Sequence, residues 1–210
     1  MDGVIVDNAT FHFESWREAC QHYGLDLTEE YYQSQLNGRT MENALHILFG
    51  RKLSHEALKK FEDEKEGLYR EVYKDHIKPT PGLIDFLHSL RAAGFPCVVA
   101  TSAPPQNVDF TLDGTHTRHF FKDIVDASMI SRGKPNPEVF LKAADVMDMI
   151  PSRCIVFEDA IMGIKAGKAA GMKVIAMATT HPASALGEAD KIIHDFSELN
   201  LKMIRMMVKS

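Results

Sequence analysis

Cysteine is scarce in this sequence. Its 210 residues include three, Cys20, Cys97 and Cys154, which lie far apart and show no CxxC spacing. An odd, scattered set argues against a disulfide framework and reads as reduced thiols, which fits a reducing cytoplasm. Excess positive charge is missing too. A formal net charge of -5 leaves no basic footprint for nucleic acid. Phosphate remains a possible ligand, because local backbone N–H groups and a single lysine suffice to hold it. No apolar run approaches the ~18 residues of a membrane span. No basic-then-apolar signal opens the chain, and there is no repeat or low-complexity tract. The sequence therefore points away from nucleic-acid and membrane partners.

What is present is ordinary for a soluble globular protein, with 45% hydrophobic and 25% charged residues. The length suits one α/β domain, or a core with a smaller domain inserted. Three textures follow one another. Met1 to Asp7 is a short apolar opening. Residues 8–78 are polar and helical in pattern: Phe11, Trp16, Ala19 and Tyr23 recur at helical spacing, as do Leu45, Leu48 and Phe49. Asp63 to Lys74 is charge-rich and reads as a solvated helix. The turn chemistry of Lys78-Pro79-Thr80-Pro81-Gly82 marks a linker. Beyond it, apolar runs alternate with amphipathic helices. Strands are expected at Pro96–Ala100, with Cys97–Ala100 as its body, and at Ile124–Asp126, Cys154–Phe157, Val174–Met177 and Lys191–Ile193. Helices are expected at Leu83–Ala92, Pro137–Met147 and Ile161–Ala170. That alternation implies an α/β fold with a parallel sheet covered on both faces, whose ligands sit at the carboxyl ends of the strands.

The polar residues at those ends are the candidates. Thr101-Ser102 can hold an anion through a hydroxyl and the following N–H groups, or can simply cap the helix that Pro104-Pro105 announces. Lys134, set between Gly133 and Pro135-Asn136-Pro137, is a fixed ammonium or a surface lysine in a turn. Glu158-Asp159, two carboxylates between a strand and a helix, suit Mg²⁺ or a helix N-terminus. Asp2-Gly3 is a turn beside a carboxylate, with Asp7 close in sequence. Each signal is weak alone; their conjunction in one order, each at its strand end, is not.

In that order the sequence resembles the haloacid dehalogenase superfamily, in its β-phosphoglucomutase-like branch, over essentially its whole length. Met1-Asp2-Gly3-Val4-Ile5-Val6-Asp7 matches the opening D-x-D-G motif from its x onward. Thr101 matches the second motif, Lys134 the third within GKPxPE, and Glu158-Asp159 the fourth, followed by Gly163, Ala166 and Gly171. The resemblance implies a Rossmann-like core (1–7 and 79–210) with an all-helical cap (8–78). It implies phosphoryl transfer through an aspartyl phosphate, with Asp2 as general acid and base. Thr101 and Ser102 would bind phosphoryl oxygens, Lys134 would stabilise developing charge, and Asp2, Glu158 and Asp159 would hold Mg²⁺. Within the cap it places His12, in His12-Phe13-Glu14-Ser15-Trp16, and Gly38-Arg39, in Asn37-Gly38-Arg39-Thr40, at the substrate. The partner it implies is a small phosphorylated metabolite such as a sugar phosphate, and the expected state is a monomer.

Two departures shape the expectation. The first Asp of D-x-D, the nucleophile, falls before Met1, and so does the strand that carries it. A start assigned too late, a shortened chain and a catalytically silent relative are the three accounts, and this exact chain is expected to be inactive without that residue. Met41 stands where β-phosphoglucomutases carry an arginine that clamps the distal phosphate, which favours plain hydrolysis over mutase chemistry. Pro104-Pro105 stiffens a loop beside the phosphate. His116 and His119 read as loop residues.

Overall fold

The computed structural model describes residues 1–37 and 39–208. They form two compact units, Met1–Asp7 with Ile77–Ser210, and Asn8–His76.

The second unit is helical: α1 (Ala9–His22), α2 (Glu29–Tyr31) running into a π-turn at Tyr32–Leu36, α3 (Met41–Phe49) and α4 (His55–Tyr73). Thr28, Thr40 and Ser54 cap α2, α3 and α4 by accepting from an N–H three residues on, as short hydroxyl residues at helix starts do. The stripe that α1 buries is Phe13, Trp16, Ala19 and Cys20. Phe11 and Tyr23, expected in that stripe, lie at its margin, and Tyr23 caps the helix end. The expectation of a solvated helix over Asp63–Lys74 needs correction. Phe61, Lys65, Tyr69 and Tyr73 recur every four residues and are all buried, so a charged helix still hides one face.

The first unit contains β1 (Val98–Ala100), β2 (Asp123–Val125), β3 (Ile155–Glu158), β4 (Lys173–Met177) and β5 (Lys191–Ile193), with α5 (Leu83–Ala92), α6 (Pro105–Gly114), α7 (Glu138–Val146), α8 (Ile161–Ala169) and α9 (Leu201–Met207) before, between and after them. All pairings are parallel. The helices pack on the strands through Val139, Phe140, Ala143, Ile164 and Ala166. Where one sheet was expected, the ladders form two, β1-β2 and β3-β4-β5.

Met1–Asp7 is not a strand but a buried turn, with one isolated bridge, Asp2 to Val6. Val6 is wholly buried. The Val4 carbonyl accepts from the Thr80 hydroxyl at 2.8 Å, and the Ile5 carbonyl from the Thr80 N–H at 2.8 Å. Those bonds tie the opening residues to the linker before α5.

Between β1 and β3 lies a cavity of about 210 Å³, walled by both strands, by α5 and by Met1, Val4 and Ile5.

One buried group in α6 gives a sharp test of the packing. The Thr111 hydroxyl is fully buried and has no hydrogen-bond partner among the described residues. Thr111→Val keeps the shape and removes the unpaired polar atom, so thermal unfolding should show a gain of about 1 kcal/mol, roughly 2–4 °C. A lower melting temperature would mean that the hydroxyl is satisfied in solution.

Candidate active site

Thr101, Ser102, Glu158 and Asp159 lie at the carboxyl ends of strands, as parallel sheets dictate, whereas Lys134 comes from the loop before α7 and Asp2 from the opening turn. Thr101 ends β1 and is buried. Its N–H donates to the Val125 carbonyl at 2.9 Å, and its Oγ1 accepts from the Ala103 N–H at 3.1 Å. The hydroxyl thus shapes its own turn and keeps its proton free to donate. Ser102 is exposed in that turn.

Lys134 is held more firmly than its prolines alone would hold it. The Glu138 carboxylate, on the first turn of α7, accepts from the Ser131 and Arg132 N–H groups at 3.0 Å each. Those bonds, the Ser131 N–H foremost, hold the Glu138 carboxyl down at about 2. They also fix the loop that delivers Lys134. The Lys134 ammonium lies 5.1 Å from the centre of the Phe140 ring and pairs with the Glu158 carboxylate.

Glu158 ends β3 with 4% of its surface exposed. Its Oε2 accepts from the Asp159 and Ala160 N–H groups at 3.0 Å, at the start of α8. Burial opposes its ionisation. The Lys134 ammonium, then the Met1 ammonium and the hydrogen bonds, outweigh that and hold its carboxyl below the usual range. Asp159 goes the other way. Burial first, then the adjacent Glu158 charge, push it up to about 7, against the pull of the Thr180 hydroxyl and of the Met1 and Lys134 ammonium groups.

Glycines make room for both acids. A Cβ on Gly3 would lie 2.0 Å from Asp159 Oδ2, and one on Gly163 would lie 2.1 Å from the Glu158 carboxyl carbon. Gly3 also has φ of 65°, open to glycine at little cost. The Asp2-Gly3 turn is therefore pressed against the carboxylate pair, and the Gly3 carbonyl accepts from the Thr179 hydroxyl at 2.6 Å.

No group of three His, Cys, Asp or Glu side chains among the described residues is arranged as a metal cluster. Mg²⁺ asks for less, since it keeps several waters and binds through one or two carboxylates. Two adjacent, unequally ionised carboxylates, Glu158 buried and Asp159 half-buried, beside the Asp2-Gly3 turn fit such an ion.

In the helical unit, His12 sits in a polar network. Its ring stacks on Tyr69 with centroids 4.2 Å apart, and Nδ1 is 3.1 Å from the Lys65 ammonium. Lysine only donates, so Nδ1 accepts, while Nε2 lies 3.4 Å from the Asn8 amide nitrogen. Lys65 also pairs with Glu66 at 2.9 Å. Arg39 is exposed, its Nε donating to the Gln35 carbonyl at 2.5 Å. Gly38 lies outside the described residues.

Sequence reasoning missed Thr179, Thr180 and Lys65. The two threonines stand just past β4, so the strand-end rule points to them. Lys65 gave no such signal, being one of many charges on α4.

The sequence profile of the haloacid dehalogenase-like hydrolases matches residues 1–177. The fructose-1-phosphate phosphatase YqaB of Escherichia coli is 34% identical over 178 residues, covering 83% of this chain and 92% of that protein. A haloacid dehalogenase hydrolase of family IA from Entamoeba histolytica superposes with a TM-score of 0.93 at 30% identity, over 100% of this chain and 97% of that one. A β-phosphoglucomutase from Clostridium difficile does so at 0.85 and 26% identity, over 99% and 94%. Against a longer relative, the chloroplastic 5-amino-6-(5-phospho-D-ribitylamino)uracil phosphatase of Arabidopsis thaliana, 26% identical, the chain spans 54% of the length. The chain belongs to the haloacid dehalogenase-like hydrolase family, in its β-phosphoglucomutase-like branch. Its fold is the Rossmann-like core of that family with an inserted helical unit.

Proposed function

We propose that this chain is a phosphatase of small sugar phosphates that works with Mg²⁺. The observation that carries the reading is the Lys134–Glu158–Asp159 cluster at the carboxyl end of β3, with Glu158 buried between two half-buried partners. A phosphate dianion is attacked by a carboxylate only where positive charge screens both. Mg²⁺, held by Glu158 and Asp159 beside Asp2, would supply Lewis-acid charge neutralisation. Lys134 stabilises negative charge on the phosphoryl group, and the Thr101 hydroxyl and the Ser102 N–H orient its oxygens. Asp2 delivers a proton to the leaving oxygen and takes one from water. The attacking carboxylate belongs two residues before Asp2, a position that precedes Met1. In the helical unit, His12 and Arg39 bind the sugar. The protein acts as a monomer on a small phosphorylated metabolite.

The test is phosphate release from hexose and pentose phosphates, with and without Mg²⁺. It compares this chain with one carrying Asp two residues before Asp2. Turnover is expected only in the extended protein with Mg²⁺, and Lys134→Ala in that background should lower kcat by about 10²–10³-fold. Binding of phosphate and Mg²⁺ without turnover in either chain would replace the reading with that of a ligand-binding relative. The second reading, a β-phosphoglucomutase, is favoured by the His12–Lys65 network and disfavoured by Met41. It requires a sugar isomer to form without net phosphate release.

A further inference from the structure

We propose that Thr179 and Thr180 are the positioning residues of the metal centre, and that they set its preference for Mg²⁺ over a larger ion. The proposal rests on the Mg²⁺ reading above and adds to it two side chains that hold the carriers of the ion.

The two threonines follow each other just past β4. The Thr179 hydroxyl donates to the Gly3 carbonyl at 2.6 Å, and the Thr180 hydroxyl donates to Asp159 Oδ2. Gly3 and Asp159 meet each other as well, since a Cβ on Gly3 would lie 2.0 Å from that same Oδ2. Thr179, Gly3, Asp159 and Thr180 therefore close a ring. The ring joins three segments far apart in sequence: the opening turn, the end of β3 and the end of β4. A carbonyl or an ionised carboxylate only accepts, so both hydroxyl protons are committed to the ring.

The ring is fixed from behind. β4 is paired on both edges, and Val174, Ile175, Ala176 and Met177 are wholly buried. Glu158 stands opposite Ala176 in the β3–β4 ladder, and the Ala178 N–H donates to the Ile193 carbonyl at 2.8 Å. Threonine adds stiffness of its own, because its branched Cβ restricts χ1. The two hydroxyls thus leave from a rigid strand end, and what they hold is held to it.

An aspartate carboxylate turns about χ1 and χ2 unless something stops it. Here Oδ2 is lodged between the Thr180 hydroxyl and the Gly3 backbone, which gives Asp159 one orientation. The Thr179 bond does the same for the turn that carries Asp2. Mg²⁺ demands near-ideal octahedral geometry at short distance, whereas Ca²⁺ accepts longer, irregular and more flexible ligand sets. Fixed carriers favour the smaller ion. Loosening them should therefore weaken Mg²⁺ more than Ca²⁺.

The experiment titrates Mg²⁺ and Ca²⁺ into the full chain by calorimetry, with a metal-free melting curve for each variant. Thr179→Val and Thr180→Val keep the shape and remove the hydroxyl. Thr179→Ser and Thr180→Ser keep the hydroxyl, and Thr→Ala stands in for any Val variant that does not fold. Each Val variant should bind Mg²⁺ about 10–100-fold more weakly, the usual effect of removing a partner that orients a metal ligand. Ca²⁺ should weaken by a smaller factor, and the Ser variants should recover most of the Mg²⁺ affinity. Val variants that bind Mg²⁺ as the parent does would overturn the proposal, and so would Ser variants as weak as Val. An equal loss of both ions would overturn it too, and would leave the threonines a purely structural role. Asp159→Asn, which should abolish binding, ties the measured ion to this site. A parent that binds no Mg²⁺, or no more than Asp159→Asn does, would overturn the Mg²⁺ reading itself and this inference with it. Turnover is not read.

Discussion

Replacing Lys65 with alanine is expected to destabilise the helical unit by roughly 3–5 kcal/mol. Lys65 is 3% exposed on the inner face of α4. Its ammonium is paired with Glu66 and His12 Nδ1 and lies 5.9 Å and 5.7 Å from the ring centres of Trp16 and Tyr69. Few lysines are buried this deeply, and removing one partner leaves the other charge without compensation. Glu66, the carboxylate Lys65 pairs with, has a side chain only 14% exposed. Lys65→Met keeps the stem and should still lose most of the stability. Trp16 is the only tryptophan of the chain and lies against this lysine, so urea unfolding followed by its fluorescence reports on this unit. A loss below about 1 kcal/mol would place Lys65 among the solvated surface pairs.

Gly163→Ala should be nearly as damaging, at about 3 kcal/mol, although it adds a single methyl group. The added Cβ would lie 2.1 Å from the Glu158 carboxyl carbon and 2.2 Å from Oε1. That carboxylate cannot swing aside cheaply, since Lys134 and the Asp159 and Ala160 N–H groups hold it from three directions. Either α8 shifts away from β3 or the ion pair breaks, and both deform the carboxylate pair. Gly67→Ala is the control. It lies within α4 with nothing inside 4 Å of an added Cβ, and should stabilise by roughly 0.5–1 kcal/mol through helix propensity alone. Denaturant midpoints of the two variants should move in opposite directions. Parallel shifts would show that Gly163 is there for helix geometry and not for Glu158.

The contrast between these glycines shows where sequence reasoning carries and where it stops. Apolar runs and turn residues located the strands well, because Lys191–Ile193 and the body of Cys97–Ala100 are short, β-branched and bounded by breakers. The helix at Leu83–Ala92 was likewise legible from its period and the Pro-Gly before it. Strand-end logic reached Thr101, Lys134, Glu158 and Asp159. It stopped short of Thr180, whose hydroxyl donates to Asp159. Lys65 was illegible because hydropathy assigns lysine to water, and only the four-residue rhythm Phe61, Lys65, Tyr69, Tyr73 betrays its face. The gap between β1 and β3 was hidden for a different reason. Each strand looks complete by itself, and pairing is a property of neighbours.

The three thiols share a condition with a practical side. Burial pushes Cys20 and Cys97 up to about 11 and raises Cys154 as well. At neutral pH almost none of each is thiolate, the form that reacts with maleimides, iodoacetamide and peroxides. The three native thiols are therefore expected to react slowly with such reagents. A thiol introduced at an exposed position is expected to take a fluorophore or spin label well ahead of the native three.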